Sequence, residues 1–325
     1  MKYRSFNKTD FQSSEIGLGA WQFGGDWGEV ADNEAMNILA AAVDNGVNFF
    51  DTADVYGAGR SESLIGNFLK NRKEKVFVST KLGRLKGYPD SYSLDLFRQC
   101  TEDSLRRLQI DCLDLAQLHC VPTDYLRSGA VFDWLRQLRE EGLIRNWGAS
   151  VETMEEALIC LEQDDITSLQ IIFNIFRQKP IETIFDQARG KKVALIIRLP
   201  LASGLLSGKF NKDTTFSPQD HRCYNRDGQA FNVGETFAGI EFAKGVEIVD
   251  LLKPLVPPNM SMSQLALRWI LDFEAVSVII PGATRHQQVS SNVAASDLPP
   301  LSSDIHQKLK EIYDREIKDH IRGAY

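Results

Sequence analysis

Asn48-Phe49-Phe50-Asp51-Thr52-Ala53-Asp54-Val55-Tyr56-Gly57 is the stretch that decides the fold. It begins with an apolar, aromatic segment typical of a strand and ends in a carboxylate, followed by a tyrosine on the next loop. Two later apolar segments end at Lys81 and at His119. Three predicted strands that each end in an ionisable side chain indicate a shared functional edge.

Short apolar segments alternate with amphipathic segments along the chain from Ile16 onward. Strands are predicted at 16–20, 47–51, 75–81, 112–119, 145–150, 167–173, 193–199 and 276–280. Helices are predicted near 33–45, 61–70, 93–108, 129–141, 152–162, 181–190, 239–273 and 285–295. A hairpin over 3–14 precedes these units, and an extra C-terminal helix from Asp304 to Ile317 follows them.

Eight strands that each lead into a helix predict an α/β fold with parallel neighbours. With 325 residues and no linker, the chain favours one (β/α)8 TIM barrel with an N-terminal β-hairpin over two doubly wound sheets. We therefore expect a single domain over residues 1–325. Residues 204–238 form a long polar loop after the seventh strand, which makes them a candidate lid or cofactor clamp.

The composition narrows the class of protein. The chain is 43% hydrophobic and 25% charged, with a net charge of -7 and no basic run, so no nucleic-acid partner is expected. No apolar run approaches membrane-spanning length, and residues 1–10 lack the apolar core of a signal peptide. Five cysteines without a C-x-x-C pair favour free thiols, so we expect a cytoplasmic location. No heptad or apolar patch indicates an oligomeric state.

The predicted strand ends carry a set of groups suited to proton transfer. In a barrel of this kind the C-terminal ends of the strands form the active site, which brings Asp51, Lys81, His119 and the nearby Tyr56 together. The Lys81 ammonium is expected to lower the pKa of Tyr56, with Asp51 holding Lys81 charged and His119 orienting a carbonyl. Taken singly, each residue has an ordinary explanation: a turn cap, a loop lysine, a core histidine and a tyrosine at the rim.

Other sites find less support in the sequence. Gly17-x-Gly19 and Gly24-Gly25 do not complete a Rossmann turn, and Gly204 to Lys209 is one residue too short for a P-loop. No paired histidine motif supports zinc, so no metal is expected. Trp21 and Trp27 follow the first strand and are candidates for the substrate pocket.

These motifs resemble those of the aldo-keto reductase superfamily. The resemblance rests on Asp-Thr-Ala-x-x-Tyr-Gly at 51–57 with Ser61-Glu62, on Val78-Ser79-Thr80-Lys81, and on Asp114-Leu115-Ala116-Gln117-Leu118-His119. It extends from the hairpin to about residue 295. It implies NADPH-dependent interconversion of an aldehyde or ketone and an alcohol, with Tyr56 as general acid and a small carbonyl or alcohol substrate.

The resemblance also implies where a cofactor would lie. Ser150 and Gln170 match positions around the nicotinamide carboxamide, and the adenosine-phosphate end is expected at a glycine turn that opens a helix and presents backbone N–H groups. The remaining implied cofactor residues are Arg198, Leu199, Pro200, Leu201, Gly204, Lys209, Gly282, Ala283, Thr284, Gln288 and Asn292.

Four departures from the family pattern bear on these expectations. Val151 stands where an asparagine or arginine is frequent, and Arg198 stands where an aromatic residue commonly stacks on nicotinamide. Gln288 replaces an arginine that grips the 2′-phosphate in some relatives, so NADPH is favoured while NADH is possible. Cys120 replaces a bulky aromatic residue, which predicts a wider substrate pocket there.

Two other functions are consistent with the sequence. A nucleotide-sensing regulatory protein on the same fold, with little turnover, would keep the same four residues. A metal-assisted barrel hydrolase could use Asp51 and His119, although the missing ligand pairs disfavour it.

Overall fold

The structure is a computed structural model that describes all residues from Met1 to Tyr325. Eight parallel strands form the central sheet, and an antiparallel hairpin lies ahead of it. The hairpin strands are β1 (Tyr3–Ser5) and β2 (Gln12–Ser14). The barrel strands are β3 (Leu18–Gly19), β4 (Phe49–Asp51), β5 (Phe77–Leu82), β6 (Leu113–His119), β7 (Ile144–Ser150), β8 (Ser168–Ile172), β9 (Ala194–Arg198) and β10 (Val276–Ile279).

Most helices separate the barrel strands and cover their outer face. The helices are α1 (Asp32–Asp44), α2 (Arg60–Leu69), α3 (Leu94–Leu108), α4 (Thr123–Ser128), α5 (Ala130–Glu140), α6 (Met154–Leu161), α7 (Pro180–Thr183), α8 (Phe185–Gly190), α9 (His221–Tyr224), α10 (Phe242–Leu252), α11 (Met262–Leu271), α12 (His286–Val293) and α13 (Ser303–Ile312). Of these, α9 lies in the loop after β9 and α13 follows the last strand. None of the helices combines the length and apolarity needed to cross a membrane.

The strands pair in sequence order from β3 to β10, and the first and last then meet. Gly17 donates its N–H to the Ile279 carbonyl at 2.8 Å, and the Ile279 N–H reaches the Glu15 carbonyl at 3.0 Å. Arg4 of the hairpin donates to the carbonyls of Phe273 and Val276, just before and within β10. The predicted TIM barrel and its N-terminal hairpin are confirmed.

Side chains along each strand alternate between the barrel interior and the helix layer. Phe50 belongs to the large outer core, whereas Phe49 belongs to a separate inner cluster. That inner cluster consists of Phe6, Phe49, Phe77, Leu115, Ala194, Ile196, Val278 and Ile280. The Phe6 ring lies 5.6 Å from that of Phe49, so the hairpin covers the floor of the barrel.

The alternation places the polar side chains above this floor. Asp51 lies two residues beyond Phe49, and Lys81 and His119 lie four residues beyond Phe77 and Leu115. The same period of two that buries the phenylalanines therefore points the three ionisable groups into the barrel at its C-terminal end.

The predicted helix over 239–273 is wrong as a single element. Pro254 ends the first part, Pro257 and Pro258 interrupt the chain, and α11 begins only at Met262. The predicted helix at 181–190 likewise divides into α7 and α8. The loop over 204–238 is less irregular than expected, since it begins within one 3₁₀ segment, contains α9 and ends in two 3₁₀ turns.

A pair of glycines tests how tightly the helix layer packs. A Cβ on Gly66 of α2 would lie 2.4 Å from the Arg107 carbonyl oxygen, whereas one on Gly190 of α8 would meet nothing within 4 Å. Although alanine favours helices, we expect Gly66→Ala to lower the free energy of unfolding by about 1–3 kcal/mol because the backbone must move. Gly190→Ala is the control, and in urea unfolding it should leave the free energy of unfolding unchanged or raise it slightly. Equal effects of the two substitutions would contradict this packing.

Candidate active site

The register of neighbouring strands brings the predicted residues to one rim. Lys81 pairs with Gln117, His119 pairs with Ser150, and Ser150 pairs with Gln170. Asp51 pairs with Ser79 on one side and Gly19 on the other. Asp51, Tyr56, His119, Ser150 and Gln170 line a cavity of about 1020 Å³ at the C-terminal end of the barrel.

Lys81 is buried and makes three polar contacts. Its Nζ donates to Asp51 Oδ1 at 2.5 Å, to the Thr52 carbonyl at 2.8 Å and to Tyr56 Oη at 3.2 Å. Burial alone would lower the pKa of Lys81, but the charge of Asp51 and the hydrogen bonds to Asp51 and Tyr56 outweigh it and raise that pKa. Lys81 is therefore a persistent cation directed at the phenol.

Burial raises the pKa of Tyr56, and the Lys81 ammonium only partly offsets this effect. The sequence-based expectation of a lowered pKa is therefore wrong in its net direction, although Lys81 acts in the expected sense. A raised pKa keeps the phenol protonated at neutral pH. Tyr56 is thus able to donate a proton, and Lys81 is placed to stabilise the phenolate left behind.

His119 lies beside Tyr56, with its ring nearly perpendicular at a centroid distance of 5.9 Å. Burial, together with the positive charges of Arg84, Lys81 and Arg198, holds the pKa of His119 well below its usual value. Its Nδ1 has no partner in the protein. A neutral imidazole can donate or accept one hydrogen bond, which suits the placing of a substrate oxygen.

Two glutamines hold the carboxylate of Asp51 from the side opposite Lys81. Gln170 Nε2 donates to Asp51 Oδ2 at 2.7 Å, and Gln117 Nε2 lies 3.5 Å from the same oxygen. Ser150 Oγ is 3.5 Å from Gln170 Oε1. Gln170, expected near the cofactor, lines the cavity but has its amide nitrogen committed to Asp51.

All of the predicted cofactor residues line the cavity. They are Ser150, Gln170, Arg198, Leu199, Pro200, Leu201, Gly204, Lys209, Gly282, Ala283, Thr284, Gln288 and Asn292. Leu199, Ala202 and Ser203 all have positive φ, between 47° and 53°. Such backbone strain in non-glycine residues concentrates at ligand sites.

The start of α12 differs from the expectation at the adenosine-phosphate end. Gln288 Oε1 accepts the backbone N–H groups of Thr284 at 2.8 Å and Arg285 at 3.1 Å, and Glu34 accepts that of His286 at 2.9 Å. The side chains of Gln288 and Glu34 thus already accept the N–H groups that would otherwise face a phosphate. A phosphate here would therefore depend on cationic side chains, of which Arg285 and Lys209 border the cavity.

The part of the cavity next to Tyr56 is aromatic and is partly formed by the long loop. Trp21, Trp27 and Tyr56 line it as predicted, and the indole rings of Trp21 and Trp27 lie 5.4 Å apart. Asp26 joins them to the loop, accepting from Trp21 Nε1 at 3.0 Å and from Tyr224 Oη at 2.8 Å. Cys120 does not line the cavity, because it is buried near two arginines.

Those two arginines belong to a charged cluster that the sequence analysis missed. Arg84 Nη1 lies 3.8 Å and Arg198 Nη2 3.7 Å from the Cys120 sulfur. Glu235 accepts from Arg84 at 2.9 Å, and Glu152 lies beside it. Arg84 could have been found, since it follows Lys81 by three residues on a strand-end loop. Glu235 carries no local sequence pattern that marks it.

Asp54 is a second buried acid that the sequence analysis did not assign. It is 1% exposed, and neither carboxyl oxygen has a partner. Burial, and then the charge of Glu62, raises the pKa of Asp54 to about 7, against the opposing effect of Arg107. Asp54 lies between Asp51 and Tyr56, so its charge state affects the loop that carries the phenol.

The raised pKa of Asp54 predicts a pH dependence of stability. From about pH 4 to 7 the folded protein retains a proton that the unfolded chain releases, so the free energy of unfolding falls as pH rises. Asp54→Asn should remove about 2–3 kcal/mol of this fall between pH 5 and 8 in urea unfolding. The exposed Asp213→Asn is the control and should keep the wild-type slope. An unchanged slope in Asp54→Asn would refute the assignment.

Comparisons with known proteins find relatives over almost the whole chain. The model of the aldo/keto reductase family matches residues 15–314. Aldo-keto reductase YhdN of Bacillus subtilis is 28% identical, with 99% of this chain and 96% of that protein covered. A probable voltage-gated potassium channel subunit beta of Arabidopsis thaliana is 29% identical, with 94% of each covered. The structure of glycerol dehydrogenase AKR11B4 from Gluconobacter oxydans superposes with a TM-score of 0.80 at 29% identity, covering 99% of this chain and 98% of that one. The chain belongs to the aldo/keto reductase family.

Proposed function

We propose that this oxidoreductase interconverts an aldehyde or ketone and the corresponding alcohol with a nicotinamide cofactor, NADPH by preference. The observation that carries the proposal is the contact of 3.2 Å between Lys81 Nζ and Tyr56 Oη at the wall of the cavity, beside His119. It pairs a protonated phenol with a fixed cation where a carbonyl oxygen could lie.

The residues divide the reaction between them. His119, held neutral, hydrogen-bonds the carbonyl oxygen and places it near Tyr56. A bound nicotinamide would supply or accept the hydride. Tyr56 donates its proton as negative charge develops on the carbonyl oxygen, and Lys81 stabilises the resulting phenolate. Asp51, fixed by Gln170, keeps Lys81 charged and directed.

The cavity suits a dinucleotide. Its lining combines polar and apolar groups, and its volume of about 1020 Å³ lies at the upper end of the range for ligand pockets. Arg198 lies at the catalytic end, while Lys209 and Arg285 lie along the wall formed by the segments after β9 and β10. Their positive charges are suited to phosphate groups.

Tyr56→Phe tests the proposed acid. Removal of the hydroxyl should lower kcat for carbonyl reduction by about 10²- to 10⁴-fold, because the alkoxide then lacks its proton donor. NADPH binding, followed by fluorescence titration, should stay within about threefold. Tyr88→Phe, at an exposed tyrosine, is the control and should retain wild-type activity. Undiminished turnover in Tyr56→Phe would exclude this mechanism.

Arg285→Ala tests the preference between cofactors. Since Gln288 and Glu34 occupy backbone N–H groups at the start of α12, a 2′-phosphate would depend on the Arg285 side chain. Wild-type protein should bind NADPH more tightly than NADH, and Arg285→Ala should weaken NADPH binding by about tenfold while leaving NADH binding unchanged. Equal weakening of NADPH and NADH binding would show that Arg285 does not contact the 2′-phosphate.

A nucleotide-sensing regulatory role is the second candidate. Its support is the similarity to the relative whose name is probable voltage-gated potassium channel subunit beta. A single slow turnover of bound NADPH, with no carbonyl among a panel of aldehydes and ketones giving multiple turnovers, would favour that role over the reductase.

A further inference from the structure

Beside the four catalytic candidates, the cavity wall holds an ion pair that proton transfer does not use. Arg84 Nη1 donates to Glu235 Oε1 at 2.9 Å, and both residues line the cavity together with Tyr56 and His119. Their side chains are only 15% and 5% exposed. Two opposite charges thus face the space where a substrate would lie, largely removed from bulk water.

Three neighbours fix the orientation of this pair. The Arg84 guanidinium lies 5.4 Å from the centre of the Phe231 ring, and Arg84 Nη1 is 3.8 Å from the sulfur of Cys120, the residue after His119. Glu235 Oε2 is 3.6 Å from Arg198 Nη1. The pair therefore lies at a defined position next to the histidine end of the site.

The pair retains hydrogen-bonding capacity toward the cavity. Arg84 offers five N–H groups, yet only Nη1 makes hydrogen bonds, and Nη2 lies 4.0 Å from Glu152. Burial would raise the pKa of Glu235, but the charges of Arg84 and Arg198 outweigh burial and lower it, so Glu235 stays an acceptor. A cationic donor and an anionic acceptor are thus available side by side.

We propose that Arg84 and Glu235 are specificity-determining residues that select a carbonyl substrate bearing a hydroxyl group next to the reacting carbon. The inference rests on the proposed reductase function. A hydroxyl both donates and accepts a hydrogen bond, so it can give its proton to Glu235 and accept from Arg84 at once. In the reverse direction the same contacts select a vicinal diol.

Two other substrate classes match the pair less well. An aldehyde with only an alkyl chain would cover both charges and leave their remaining hydrogen bonds unmade, which is costly in a buried site. An aldehyde with a carboxylate would gain from Arg84 but would be repelled by Glu235. The adjacency of opposite charges favours the hydroxylated class over both.

Three short-chain aldehydes distinguish these classes: glyceraldehyde, propanal and succinic semialdehyde. Wild-type protein should show a kcat/KM for glyceraldehyde at least about tenfold above that for the other two. Arg84→Met, which keeps the apolar stem, and Glu235→Gln should each lower kcat/KM for glyceraldehyde by about 10- to 100-fold, mainly through KM. The kcat/KM for propanal should change by less than about threefold in both variants.

Lys86→Met is the matched control, since Lys86 lies on the same loop and pairs with the surface residue Asp103 at 3.0 Å. Lys86→Met should leave kcat/KM for all three aldehydes unchanged. If Arg84→Met and Glu235→Gln lower kcat/KM equally for glyceraldehyde and propanal, the pair has only a structural role, and the inference is overturned. A wild-type preference for succinic semialdehyde that Arg84→Met removes would also overturn it.

The outcome for propanal separates this inference from the function on which it rests. Reduction of propanal by wild-type protein without any preference for glyceraldehyde overturns the role of the pair and leaves the reductase intact. If no aldehyde is reduced with either cofactor, the proposed function fails and the inference fails with it. Glu235→Gln alters the pair without changing side-chain size, so it provides the test if Arg84→Met does not fold.

Discussion

The burial of the Lys81 charge is the constraint on which the rest of the site depends. Its side chain is 1% exposed and that of Asp51 is 3% exposed. A buried ammonium without partners would be strongly destabilising, so the protein supplies a carboxylate, a carbonyl and a phenol as acceptors. The carboxylate in turn requires donors, which Gln170 and Gln117 provide. One buried cation thereby orders four side chains, from three other strands and one strand-end loop.

The barrel makes this arrangement possible by separating two layers of its interior. The lower layer is aromatic and aliphatic and is covered by Phe6 of the hairpin, whereas the upper layer is polar. Each strand contributes to both layers through the same alternation of side chains. Within the barrel interior, apolar packing is therefore confined to the floor, and the upper layer is left to polar side chains.

This alternation explains how much the sequence could predict. Asp51, Lys81 and His119 each end an apolar segment, so their position at the rim followed from local pattern and the logic of a parallel barrel. The pKa of Tyr56 depends on how deeply the fold buries its phenol, which no local pattern shows. The predicted direction of its shift is therefore wrong. The break in the helix over 239–273 was visible in Pro254 and Pro257, but the apolar periodicity on both sides concealed it. The pairing of Arg84 with Glu235 spans 151 positions and has no local pattern.

The closure of the barrel has a consequence for how the chain folds. The seam joins Ile16 to Ile279, so the strands at its two edges meet only after nearly the whole chain has been synthesised. Until then both edges expose unpaired backbone groups, which can pair with another chain and aggregate. Arg4, which bonds to the carbonyls of Phe273 and Val276, ties the earliest segment to the last barrel unit. The hairpin thus links the two edges of the barrel and stabilises the closed seam. A chain without the hairpin would leave the edges open for longer and so give a lower yield of refolded protein.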